Sequence, residues 1–299
     1  MEIEHLSYLY VPPHSGGEAA GCGFNLGGLR PTNLPSAGSN TRLKLAPTST
    51  NIISWKDMED EPFVQILDHL DELIDKSLLS HKKPLSRAVA HVRQDLIDYD
   101  IIEPCEPEDV LEYVSLFLTE KKDGLGRLVC DGRPINLACQ RPPRMPIMTI
   151  REFLKKMRTY KFAGQSDGKS FFYQHLLPLS GRKFFGVRIP VYKGRGRILT
   201  YRLKRLPMGW SWAPFIAQSV ANHIASAGNA DAWVDNFIFG GSSLGEAESR
   251  RAALAGAASN YRVEMKPLFE DAPIGERITA LGIDFDLKSS QFRMDPVWN

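Results

Sequence analysis

Along this chain, Phe63, Ile66, Leu67, Leu70, Leu73 and Ile74 recur three and four positions apart behind Pro62. That spacing predicts an amphipathic helix over 61–79, its apolar stripe packed on the body of the protein. The same reading places helices over 85–97, breaking near Pro104, and over 151–159. Pro214 opens another that runs to Ser226, with Ile216, Val220 and Ile224 on one face and Gly228 as its stop. An Ala-rich run predicts a helix over 243–261. Strand-like runs bounded by turn residues fall at 113–119, 126–131, 162–167, 184–189, 198–203, 278–283 and 291–294. Two further short runs, ending at Val234 and starting at Phe237, flank Asp235-Asn236, a residue pair that tolerates tight-turn dihedrals, so a hairpin with a carboxylate at its tip is expected. Strands joined by hairpins and interspersed with helices predict an α+β fold on an antiparallel sheet.

Composition narrows the picture modestly. Among 299 residues the formal net charge is +2, which argues neither for nor against nucleic acid. Distribution is more telling. Arg182, Lys183, Arg188, Lys193, Arg195, Arg197, Arg202, Lys204 and Arg205 occur without an acidic residue among them, interleaved with Phe184, Phe185, Tyr192 and Tyr201. Such a ribbon can neutralise phosphates while rings pack or stack; the plainer reading is a solvated two-stranded ribbon. Around Asp57, Glu59, Asp60 and Glu61 the chain is acidic, a solvated face. Cys22, Cys105, Cys130 and Cys139 have no metal-ligand spacing, so free thiols in a reducing intracellular compartment are expected. No apolar run approaches membrane-spanning length, and the acidic start does not resemble a targeting peptide. The first fifty or so residues, rich in Gly, Pro, Ser, Asn and Thr, predict an irregular extension ordered by a protein partner.

Asp167 closes the strand-like run 161–166, and two strand-end carboxylates on one sheet can hold divalent ions. With their neighbours these segments resemble the palm of a reverse transcriptase, over about two-thirds of the chain and in that family's order. Asp95-Leu96-Ile97 and Ile101 to Pro104 resemble the opening of the fingers. Phe117 to Gly124 with Arg127 to Asn136 resemble the fingers hairpin, and Met145 to Ile150 the lead-in to the first catalytic strand. Asp167 to Gln174 resembles the first catalytic motif and Leu206 to Gln218 the template-positioning motif. Trp233-Val234-Asp235-Asn236 stands where the family has aromatic-x-Asp-Asp. Val263 to Pro267 and Leu281-Gly282-Ile283 resemble the last palm strands and primer grip. The implied fold is a right-hand polymerase fingers and palm, with an antiparallel palm sheet packed on helices. It divides into an N-terminal extension (1–55), a helical lead-in (56–100), a fingers-like part (101–160) and a palm (161–299).

The resemblance implies template-directed nucleotidyl transfer on RNA or an RNA/DNA duplex, with deoxynucleoside triphosphates as substrate. Two Mg²⁺ ions about 4 Å apart would be shared by Asp167 and Asp235, with the Gly168 carbonyl as a further oxygen. Lys122 or its neighbour Lys121, with Arg127, would meet the triphosphate, where a guanidinium pairs bidentately with phosphate oxygens. Phe172 would sit under the sugar, although a core Phe reads the same. Gln218 and Gly209 would position the templated pair, while Arg133, Arg182, Lys183, Arg188, Lys204 and Arg205 would meet template or duplex. Lys266 would protonate the leaving pyrophosphate, a role that competes with a plain solvent-facing lysine.

Two departures from the pattern matter. Asn236 replaces the second hairpin Asp, removing a charge beside the ions; unit charges about 4 Å apart interact by roughly 4 kcal/mol at an effective dielectric near 20. The sequence also ends soon after the primer-grip-like segment, so no thumb or ribonuclease H domain is expected. A second reading follows, a catalytically degenerate, domesticated subunit that binds RNA or protein in a ribonucleoprotein.

Overall fold

The computed structural model describes residues 42–55, 58–59, 61–191 and 196–294. Helices α1 (Pro62–Asp68), α2 (Leu70–Leu73) and α3 (Arg93–Asp98) lead to strand β1 (Ile102–Pro104). Strands β2 (Ser115–Glu120) and β3 (Gly126–Asp131) form a hairpin, followed by α4 (Arg133–Ala138) and α5 (Ile150–Met157). Next come β4 (Phe162–Gly168), α6 (Leu179–Arg182), β5 (Gly186–Val191) and β6 (Arg197–Leu203). Helix α7 (Ala213–Ser226), β7 (Asp231–Trp233), β8 (Asn236–Gly241) and α8 (Leu244–Asn260) follow, then β9 (Met265–Lys266), β10 (Arg277–Ala280), β11 (Ile283–Asp286) and β12 (Gln291–Met294).

The fold is α+β with antiparallel sheets, as the alternation of strand and helix patterns implies. Its centre is a four-stranded antiparallel sheet in the order β7-β8-β4-β9. Helix α7 packs on β7, and α8 on β8 and β4, because their apolar faces bury Ile216, Val220, Ile224 and Leu254 against Phe237 and Phe239. A second, smaller core joins Phe153 and Met157 of α5 to Ala163, Ile238, Ile283 and Phe285, seating the β10-β11-β12 meander beside the central sheet. Thr149 caps α5 through a reciprocal bond pattern with Glu152, satisfying amides that a helix start leaves open.

Two expected helices are shorter. The 61–79 run breaks after His69 and again at Ile74, because a neighbouring strand-like segment takes its backbone: Gln140 N donates to Leu73 O at 2.9 Å and Asp75 N to Ala138 O at 2.8 Å. The 85–97 run starts as a 3-10 turn (Arg87–Val92), since Ser86 N is drawn to Arg188 O at 2.8 Å. The hairpin tip also differs: Trp233 pairs with Asn236, so the turn residues are Val234 and Asp235, and Asn236 begins β8.

Of the expected N-terminal extension, residues 1–41, including Cys22, lie outside the described residues. Residues 42–55 have no regular structure but are anchored. Gly126 N donates to Lys44 O at 2.7 Å, Ile53 N to Gln174 O at 2.9 Å, and Arg205 to the Thr50 and Asn51 carbonyls. Asp57 and Asp60 also lie outside; Glu59 is exposed, while Glu61 meets His223 Nδ1 at 3.0 Å. Cys105, Cys130 and Cys139 are free thiols, each raised by burial above the ordinary cysteine range. Among the described residues no helix is long and apolar enough to cross a membrane.

Candidate active site

Strand pairing brings the two expected carboxylates together. Asp167, next to last in β4, lies opposite Asn236 of β8 on one side and Lys266 of β9 on the other. Gly168 N donates to Asp235 O at 2.6 Å, which pins the β7–β8 turn to the end of β4. Both carboxylates are exposed, yet nearby protein raises them above the ordinary Asp range. For Asp167 desolvation is the cause. For Asp235 desolvation dominates, the Asp167 charge adds to it, and the Arg127 guanidinium opposes it. Among the described residues neither carboxylate forms an ion pair with Lys, Arg or His. Nor do three or more His, Cys, Asp or Glu side chains gather into a ready metal cage among those residues.

The turn carrying Asp235 is held by a residue that sequence reasoning placed at the nucleotide. Val234 has φ of 58°, a left-handed conformation costly for a β-branched side chain. Gln218 of α7, fully buried, accepts from Val234 N at 2.7 Å and donates to Ala232 O at 2.9 Å and Asn222 Oδ1 at 2.8 Å. Its amide thereby holds the turn that carries Asp235. Gly209, with φ of 123°, is tight against backbone, since a Cβ there would lie 2.0 Å from Cys130 O. Asn136 clamps the same loop, donating to Gly209 O at 3.0 Å and accepting from Ser211 N at 2.8 Å.

On the β2–β3 hairpin, Arg127 and Lys122 are exposed, while Lys121 is tied to Asp123 at 3.1 Å. Phe172 is half-buried against the main core, and Lys266 is exposed. Arg133 makes a two-pronged pair with Asp131, at 2.8 and 2.7 Å.

The basic ribbon makes contacts within the fold. Arg182 and Arg202 converge on Glu103, Lys183 on Asp71, and Lys204 with Arg205 on Asp100. Arg205 is 1% exposed and also donates to the carbonyls of Asp100, Tyr173, Asn51 and Thr50. Arg188 donates to Lys83 O at 2.7 Å. These cations are thus engaged with groups of the fold; Tyr192, Lys193 and Arg195 lie outside the described residues.

No protein-family model matches the sequence, and no curated protein does. Among solved structures the chain is similar to a foamy viral protease-reverse transcriptase in complex with double-stranded DNA, with a TM-score of 0.54 and 13% identity. The match covers 86% of this chain and 49% of that one, so the chain spans about half of that neighbour's length. The fold is therefore reverse-transcriptase-like.

Proposed function

We propose that this chain is the fingers and palm of an RNA-directed DNA polymerase, with Asp167 and Asp235 holding divalent cations. The observation that carries the proposal is the β4–β8 pairing, which sets two carboxylates at one sheet end with no protein cation bound to either among the described residues. Such a pair, each member raised by desolvation, is matched by a divalent ion, which stabilises the ionised form of both. Mg²⁺ bound there would supply activation of a primer 3′ hydroxyl and charge neutralisation on a triphosphate.

The chain's own residues supply the rest. Arg127, whose charge reaches Asp235, and Lys122 bind the triphosphate from the β2–β3 hairpin. Phe172 packs under the sugar. Gln218 holds the Asp235 turn in place, and Gly209 lets the 206–212 loop close on β3. Lys266, opposite Asp167 in the register, carries a proton toward the leaving group. Template RNA, the duplex and a protein partner for residues 1–55 complete the reading.

Asn236 and the internally paired ribbon favour the second reading, a nucleic-acid-binding subunit that does not polymerise. Primer extension on an RNA template with Mg²⁺ or Mn²⁺ separates the two. Extension by the native chain that disappears in Asp167→Asn supports the polymerase; no extension, with salt-sensitive RNA binding retained, supports the subunit.

A further inference from the structure

Residue 236 occupies a position from which a third carboxylate could join the ion site, and its surroundings argue against that use. Asn236 lies opposite Asp167, and Gln165, two residues earlier on β4, shares that sheet face. Gln165 Nε2 donates to Thr279 O of β10 at 2.8 Å, which turns Gln165 Oε1 toward residue 236. Asn236 Nδ2 donates to that oxygen over a long 3.4 Å. The other amide atom, Asn236 Oδ1, is buried and receives no hydrogen bond from the described residues.

We propose that Asn236 stands outside the ion shell and acts as a positioning residue, an amide clip running from the carboxylate face through Gln165 to the β10–β12 meander. A carboxylate at 236 would meet an acceptor on one side and no donor on the other, an unfavourable setting for a buried charge. An amide suits one of those two positions. Asp167 and Asp235, by contrast, are exposed and open to an ion arriving from solvent. The inference rests on the proposed ion site, and it assigns that site two carboxylates and no third.

Mn²⁺ titration of the full chain, followed by electron paramagnetic resonance, tests it with no need for turnover. Asp167→Asn and Asp235→Asn are expected to weaken Mn²⁺ binding at least tenfold; if neither does, the ion site and the polymerase reading fall. Asn236→Asp is expected to tighten Mn²⁺ binding by less than about tenfold, as a charge acting from outside the shell does; tightening beyond that would place residue 236 in the ion shell and overturn the inference. The clip has its own readout in thermal unfolding. Asn236→Asp lowers the midpoint, and adding Gln165→Lys, which offers the new carboxylate a donor, restores at least half of the loss. Gln165→Lys alone lowers it. Absence of that rescue overturns the clip even where the Mn²⁺ results hold.

Discussion

Two charged regions of this molecule are built in opposite ways. In and around β5 and β6, five cations of a run without acids, Arg182, Lys183, Arg202, Lys204 and Arg205, pair with Glu103, Asp71 and Asp100 from elsewhere in the chain. At the end of β4, Asp167 and Asp235 stand beside each other with no ion-pair partner among the described residues, and Arg127 acts on Asp235 only through its field. The first arrangement is what folding alone requires, since a half-buried charge is tolerable when paired. The second leaves charge unspent, and unspent charge open to solvent is what a ligand can use.

The sharpest break of that comparison comes from the ribbon. Arg205→Met strips Asp100 and four carbonyls of a donor at a site almost closed to water, and urea unfolding should show a loss of about 3–5 kcal/mol. RNA affinity of the folded fraction should hardly change; a large drop would mean that the ribbon binds phosphate after all.

Removing one carboxylate of the pair should act the other way. Asp235→Asn is expected to weaken divalent-ion binding about 100-fold while leaving stability equal or higher, because its ionised form is already disfavoured by desolvation. Calorimetric titration with Mn²⁺ beside a melting curve reads both, and a protein that melts lower with unaltered ion binding would contradict the contrast.

Gln218→Leu sharpens the comparison at the turn. It leaves Val234 N and Ala232 O unpaired in the interior, for a loss of about 1–3 kcal/mol. Ion affinity should fall with it, as Asp235 loses its fixed position; unchanged affinity would show that the turn holds without the glutamine.

His175 gives a pH test independent of both regions. Buried between Trp55 and Phe171, with neither ring nitrogen hydrogen-bonded among the described residues, it is pushed down to about 3 by desolvation. Its folded value lies below the unfolded one near 6.5, so the neutral ring's contribution is complete above pH 6.5 and is lost as pH falls from there toward 3. Over that window its share of the slope approaches about 1.4 kcal/mol per pH unit, and His175→Phe should remove it in acid unfolding curves. The smallest effect is expected at Arg133→Gln, whose exposed pair with Asp131 is worth no more than about 1 kcal/mol.

Much of the site was legible in the sequence. Asp167 and Asp235 end strand-like runs, and β8, buried at every position after Asn236, is an inner strand of the central sheet between β7 and β4. The hairpin register was less legible: Val234 looks like a strand residue, and its left-handed backbone depends on Gln218, sixteen residues earlier on a helix. Gln165 could have been found by alternation from Asp167. The cluster in which Ser49 and Lys169 converge on Glu264 could not, because its members lie far apart along the chain.

Local pattern determined the order of helices and strands and the positions of the carboxylates, since periodicity and turn chemistry act over a few residues. Tertiary structure decided which charges are spent. Coulomb attraction and burial depend on distance in space, and the acids that pair with Arg182, Lys183, Arg202, Lys204 and Arg205 lie about 80 to 110 residues earlier in the chain.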